Sequence, residues 1–124
     1  MHCLGLNHRT ASVAVRERFA VPKRCLVERN AQLAALPSVQ ECVLLSTCNR
    51  TELYYWTRSV AEARRDIMEC FLGVEAEQEQ LSACFYDYSG VEALRHLASV
   101  AAGLDSMVVG ETEIFGQQIG RAHV

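Results

Sequence analysis

Apolar and polar positions along the chain fall into short blocks whose spacing switches between the strand and helix periods. "MHCLGL" alternates weakly and gives way to the polar "NHRTAS", which predicts a short first strand and a loop carrying Asn7, His8 and Arg9. Ser12 stands as a helix N-cap before "VAVRERFA", where Val13, Val15 and Phe19 are interleaved with charges. Pro22 suits the first turn of the next helix, "PKRCLVERNAQLAAL", because its missing N–H is not needed there. Leu26, Ala31 and Leu33 to Leu36 form its apolar side against Lys23, Arg24, Glu28 and Arg29. After Pro37, "SVQECVLLST" is apolar on both faces at Val43, Leu44 and Leu45, the pattern of an interior strand.

"TELYYWT" resumes strand character after only "CNR", so the two runs form a hairpin or a sharply bent ribbon. "SVAEARRDIMECFLG" is amphipathic, with Val60, Ala63, Ile67, Cys70 and Phe71 at helical spacing and Gly73 as its stop. "LSACFYDYS" supplies a fourth strand. Ser89 and Glu92 have capping-box spacing for a helix through "GVEALRHLASVAAGL". On that helix Leu94, Leu97, Ala98 and Ala101 share a face, and His96 projects away from it towards solvent. "DSMVVGETEIFGQQIGRAHV" starts a last helix near Glu111 and reaches Val124 without a stop signal, so the sequence reads as continuing.

The resulting order is strand, helices, strand, strand, helix, strand, helix. This is the split β-α-β-β-α-β pattern of ferredoxin-like α+β folds: four antiparallel strands with helices packed on one face. The 124 residues form one domain, residues 1–124, without a repeat or linker.

Composition narrows the function classes. Half of the residues are apolar and 22% are charged, as in soluble globular chains. A net charge of -3 gives no long-range attraction for polyphosphate, so any contact with nucleic acid is local. No apolar run is long enough to span a membrane, and the N-terminus lacks a signal-peptide pattern, which predicts a cytoplasmic protein. None of the cysteines at 3, 25, 42, 48, 70 and 84 forms a C-x-x-C pair, so no zinc ribbon or thioredoxin-like motif is present and free thiols are expected.

Among those thiols, Cys48 has distinctive company. It leaves a strand between Thr47 and Asn49, which offer hydrogen bonds, and lies close to Arg50. A thiolate is a strong nucleophile, and a turn at a strand end lets it reach solvent. Arg50 either supplies positive charge to the thiol or holds a substrate carboxylate in its planar fork. The plain alternative is an ordinary turn cysteine, with Asn49 in the left-handed backbone region and Arg50 solvated. His96 is the best base or hydrogen-bond donor available, while His2 and His8 read as structural or as loop-edge groups. Ser106, Glu111 and Gln117 suit a cleft for a small polar ligand. No G-x-G-x-x-G follows a strand, so no nucleotide site is visible.

"GLNHRTASVAVRERF", "LLSTCNRTELY" and "HLASVAAGLDSMVVGETEIFGQ" together resemble the N-terminal catalytic domain of the glutamyl-tRNA reductase family, in the same order and over nearly the whole chain. The resemblance implies that Cys48 attacks the ester joining glutamate to its tRNA, and that NADPH reduces the thioester to glutamate-1-semialdehyde for 5-aminolevulinate and tetrapyrrole (porphyrin) synthesis. It makes His96 important for activity, and it places Thr47, Asn49, Arg50, Ser106, Glu111, Thr112, Glu113 and Gln117 at substrate-contacting positions. Glu113 departs from the family pattern, which has glutamine there; a negative charge replaces an amide donor. The family's NADPH-binding domain and helical dimerisation region lie outside this sequence, and no metal is implied. Implied partners are glutamyl-tRNA, the second subunit of a homodimer and glutamate-1-semialdehyde aminomutase. Two rival readings are a non-catalytic RNA- or protein-binding ferredoxin-like module, which would use "ELYYWT" as an aromatic surface, and a Cys/His acyl hydrolase.

Overall fold

The computed structural model describes residues 1–72 and 78–107. Its strands are β1 (His2–Asn7), β2 (Glu41–Ser46), β3 (Arg50–Trp56) and β4 (Tyr86–Ser89). The helices are α1 (Val13–Phe19), α2 (Leu26–Ala34), α3 (Val60–Leu72), α4 (Gln78–Ser82) and α5 (Val91–Met107), with a 3-10 turn over Lys23–Cys25. The strands form a four-stranded sheet in the order β2-β3-β1-β4, with every neighbouring pair antiparallel. That is the α+β sheet the sequence predicts. No helix among the described residues is long and apolar enough to cross a membrane.

Strand alternation sorts side chains onto two faces. Leu4, Leu6, Leu44, Leu53 and Tyr55 point to one face, where Phe19, Leu26, Leu33 and Ile67 complete the larger core. The two crossovers therefore pack on a common side, as the split pattern requires. The opposite face carries Cys3, Val43, Tyr54, Tyr86 and Tyr88, and α5 lies over it through Ala93 and Leu97. Leu45 meets Val100 there as well. This last helix departs from the one-faced arrangement expected from the sequence: the second face is apolar too, and α5 covers it.

Several boundaries differ from the sequence reading. Ser12 caps α1 as expected, its hydroxyl accepting from Val15 N at 3.3 Å. Pro22 opens a 3-10 turn, and the α-helix proper begins at Leu26. The run "LSACFYDYS" divides between α4 and a short β4. Ser89 belongs to β4 and bonds the His2 ring at 2.9 Å instead of capping α5; Gly90, at φ +59°, makes the turn. β2 is apolar on both faces yet sits at the sheet edge. Helices cover both of its faces, and Asn30 of α2 accepts the Leu44 N–H at 3.0 Å, which shields the open edge from further pairing.

Gly5 lies directly opposite Glu52 in the β1–β3 ladder. A Cβ there would stand 2.7 Å from the Thr51 carbonyl oxygen and 2.8 Å from Glu52 Cγ, so the strands would have to part. Gly103 in α5 has nothing near the equivalent position. Gly5→Ala is expected to lower stability by about 1–3 kcal/mol through overpacking. Gly103→Ala is expected to be neutral or to raise it by up to about 1 kcal/mol through helix propensity. Urea unfolding of both variants checks the contrast.

Candidate functional site

A cavity of about 420 Å³ opens between the β2–β3 hairpin, the β1–α1 loop and α5. Local chemistry builds each wall. The hairpin closes through Thr47 N–H donating to the Arg50 carbonyl at 2.8 Å, with Cys48 and Asn49 at its tip. No residue other than glycine has positive φ among the described residues, so Asn49 does not take the left-handed conformation considered above. Its N–H instead donates to Thr47 Oγ1 at 3.3 Å. Below the tip, Ser46 and Thr51 hydroxyls meet at 3.1 Å and tie the hairpin to Val21 N and Phe19 O. Arg16 of α1 reaches over from outside, its Nη1 3.5 Å from both the Cys48 carbonyl oxygen and Asn49 Oδ1. The β1–α1 wall is an Asx turn in which Asn7 Oδ1 accepts from Arg9 N at 2.9 Å and Thr10 N at 3.2 Å.

Thr47, Asn49, Arg50 and His96 all line this cavity, together with His8. Cys48 is exposed on the turn between two lining residues. The fold therefore brings Arg50 and His96 to one cavity, with Cys48 on the adjoining turn and not among the lining residues. The backbone of Ser106 belongs to α5, and nothing further is described of it. Glu111, Thr112, Glu113 and Gln117 lie outside the described residues.

The orientation of His96 corrects the helix phase. Leu94 is exposed, and Ala93, Leu97 and Val100 turn towards the sheet. His96 goes with them, its Nε2 bonded to Glu52 Oε2 and its side chain only 17% exposed. Tyr86 and Tyr88 hold the ring from the side, with centroids 5.2 and 4.7 Å away. Counting apolar positions chose the wrong face because the helix answers to a polar partner on the sheet.

That partner, Glu52, is absent from the residues picked out in the sequence. It is 0% exposed. Tyr86 Oη donates to its Oε2 at 2.5 Å, Tyr54 Oη to its Oε1 at 3.1 Å, and Arg50 Nη1 stands 3.7 Å from Oε1. Cys3 Sγ approaches Oε2 at 3.9 Å. Burial by itself would raise the Glu52 carboxyl, but hydrogen bonds from His96 and Tyr86, with the charges of His96 and Arg50, outweigh it and hold the group below its ordinary value. Burial first, and the Glu52 charge second, push the Tyr54 and Tyr86 phenols up, so both remain donors. The available signal was an acidic residue inside the apolar run "TELYYW", on the same strand face as Arg50.

Cys3, Glu52 and His96 place one donor atom each within 4.8 Å of one another. A cation there would have to displace the thiol proton and the hydrogen bonds that already compensate Glu52. Burial, followed by the Glu52 charge, raises the Cys3 thiol, which opposes its deprotonation. The cluster is accounted for as a hydrogen-bonded group.

The comparisons with known proteins bear on this site. Residues 4–122 match the family described as glutamyl-tRNAGlu reductase, N-terminal domain. The chain belongs to that family. It is similar to a glutamyl-tRNA reductase of Akkermansia muciniphila, 53% identical over 94% of this chain and 34% of the relative. A second relative of that name, from Chromohalobacter salexigens, is 48% identical over 92% of this chain and 27% of its own length. The chain thus spans about a third or less of the relatives it matches. Among solved structures, glutamyl-tRNA reductase from Methanopyrus kandleri is similar, with a TM-score of 0.67, 29% identity, and coverage of 98% of this chain and 28% of that one.

All six cysteines are free. Cys3 and Cys42 are buried, and burial raises the Cys42 thiol to about 11. Limited alkylation with iodoacetamide, mapped by peptide mass spectrometry, is expected to modify Cys48 at least about 10-fold faster than either. Equal rates would contradict the exposed turn. A separate consequence concerns acid stability. Glu52 has a folded value below its ordinary 4.5, so its contribution is complete above pH 4.5 and is lost as pH falls through the folded value. Urea unfolding against pH is expected to show a shallower acid-side loss in Glu52→Gln than in the wild type.

Proposed function

We propose that the chain is the acyl-accepting part of an NADPH-dependent glutamyl-tRNA reductase. The observation that carries this reading is an exposed Cys48 on a braced turn whose neighbours Thr47 and Asn49 line a cavity together with Arg50 and His96. The substrate is glutamyl-tRNA, with its aminoacylated end entering the cavity. Arg50 binds a glutamate carboxylate through its planar fork, and Thr47 and Asn49 supply further hydrogen bonds. The Cys48 sulfur attacks the ester carbonyl carbon. A thioester bond forms, the bond from that carbon to the ribose oxygen breaks, and the thiol proton ends on the ribose oxygen. His96 carries that proton or orients the ester.

The described residues do not fit a dinucleotide. Gly90 stands alone at the β4–α5 turn, and the polar loops leading into α1 and α3 contain no glycine, so no glycine-rich pyrophosphate cradle is built. NADPH, which supplies hydride when bound, belongs to a site elsewhere in the full enzyme. The reduced product is glutamate-1-semialdehyde, the precursor of 5-aminolevulinate and porphyrins. We place the enzyme in the cytoplasm as a homodimer joined through a helical domain outside this chain. Transfer of the product to an aminomutase also falls to other parts of the enzyme. An aromatic RNA-stacking platform is less well supported, since Tyr54 and Tyr55 are both buried.

Incubation with tRNA carrying radiolabelled glutamate tests the proposal. Label is expected on wild-type protein in a hydroxylamine-sensitive bond, with none on Cys48→Ser. Equal labelling of both, or none on either, overturns it. Release of free glutamate without any protein-bound label would favour the Cys/His acyl hydrolase instead.

A further inference from the structure

We propose that Glu52 is a positioning residue that fixes the tautomer of His96, with Nε2–H donating into the sheet and Nδ1 left as the basic atom for the cavity. The role of that atom in proton transfer rests on the acyl-transfer reading; the tautomer itself does not.

An ionised carboxylate only accepts, with about four lone-pair positions on its two oxygens. In Glu52, Oε1 faces the Tyr54 hydroxyl and the Arg50 guanidinium, while Oε2 faces the Tyr86 hydroxyl and His96 Nε2. Arg50 has no acceptor to offer. A proton on Glu52 would have to turn a tyrosine hydroxyl round or point at the ring nitrogen, and would leave Arg50 without its anionic partner in a place without solvent. The proton between Glu52 and His96 therefore belongs to Nε2, and a neutral ring carries its lone pair on Nδ1.

The surroundings hold this arrangement in place. Tyr86 and Tyr88 flank the imidazole, Ala93 and Leu97 seat the helix on the sheet, and Gly5 leaves space over Glu52 that a side chain would fill. A buried carboxylate that serves only to neutralise Arg50 would need no second contact from α5. Glu52 instead joins the hairpin carrying Cys48 to the helix carrying His96, across residues 44 positions apart in sequence.

An amide in place of the carboxylate reverses the logic. The side chain of Glu52→Gln has its own N–H₂ to donate, so it accommodates Nε2 as an acceptor and favours the Nδ1–H form, in which Nδ1 is no longer basic. Glu52→Asp keeps the charge and the accept-only character.

Long-range ¹⁵N–¹H NMR of the histidine rings, at the alkaline end of their titration, reads the tautomer directly. Loss of one signal in His96→Gln assigns it. The wild type is expected to show the proton on Nε2, and Glu52→Gln to move it to Nδ1. Single-turnover transfer of labelled glutamate from its tRNA to Cys48 is expected to fall at least about 100-fold in Glu52→Gln, with the half-saturating tRNA concentration changed by less than about threefold. Glu52→Asp is expected to recover at least about tenfold over Glu52→Gln. A wild-type Nδ1–H ring, or a Glu52→Gln rate within about threefold of wild type, overturns the proposal. If Glu52→Gln does not fold, the wild-type spectrum together with Glu52→Asp decides. A wild type with Nε2–H that never acylates would sink the acyl-transfer reading alone.

Discussion

A carboxylate with no exposure in the middle of a sheet must be met by donors, because a buried charge left unpaired costs several kcal/mol. Glu52 is such a group, and much of the second face of the sheet follows from it. Tyr54 comes from its own strand, Tyr86 from β4 and His96 from α5. Tyr86 and His96 lie 34 and 44 positions from Glu52, so satisfying the charge sets where β4 and α5 sit relative to β3. Gly5 completes the arrangement by leaving open the place across the ladder where another residue would collide with the Glu52 side chain.

The hairpin tip obeys a different rule. Cys48 is exposed, so its position depends on the turn beneath it rather than on packing around it. The Thr47–Arg50 hydrogen bond closes the turn, buried hydroxyls of Ser46 and Thr51 fasten its base, and Arg16 bridges the Cys48 carbonyl and Asn49 side chain. A thiol held in this way is accessible without being loose. The larger core on the other face supplies the rigidity, since Leu53 and Leu44 beneath the hairpin are nearly inaccessible to solvent. Rigid support on one face and a polar, donor-rich cavity on the other give the sheet distinct duties on its two sides.

Much of this was legible in the chain. Weak alternation over "MHCLGL" and the apolar runs in "SVQECVLLST" and "TELYYWT" marked strands, and the short "CNR" connection required β2 and β3 to be neighbours. Cys48, Arg50 and the cap at Ser12 could be named from local spacing, because turns and caps depend on residues close in sequence. The motif strings that resemble the reductase family agree with the family match over residues 4–122.

The misreadings share a cause. The face of α5 was taken from its apolar residues, yet Leu94 is exposed and His96 turns inward to a charge on another strand. β2 read as an interior strand because both faces are apolar, but burial by helices and position within a sheet are separate properties. Glu52 drew no attention, since an acidic residue in a strand normally faces water and two of its partners, Tyr86 and His96, are distant in the chain. Periodicity reports which side of an element is apolar and therefore determines strands, helices and tight turns. Pairing of a buried charge is a long-range constraint, and only the folded sheet, by bringing β1, β3, β4 and α5 together, decides which carboxylate is buried and which histidine meets it.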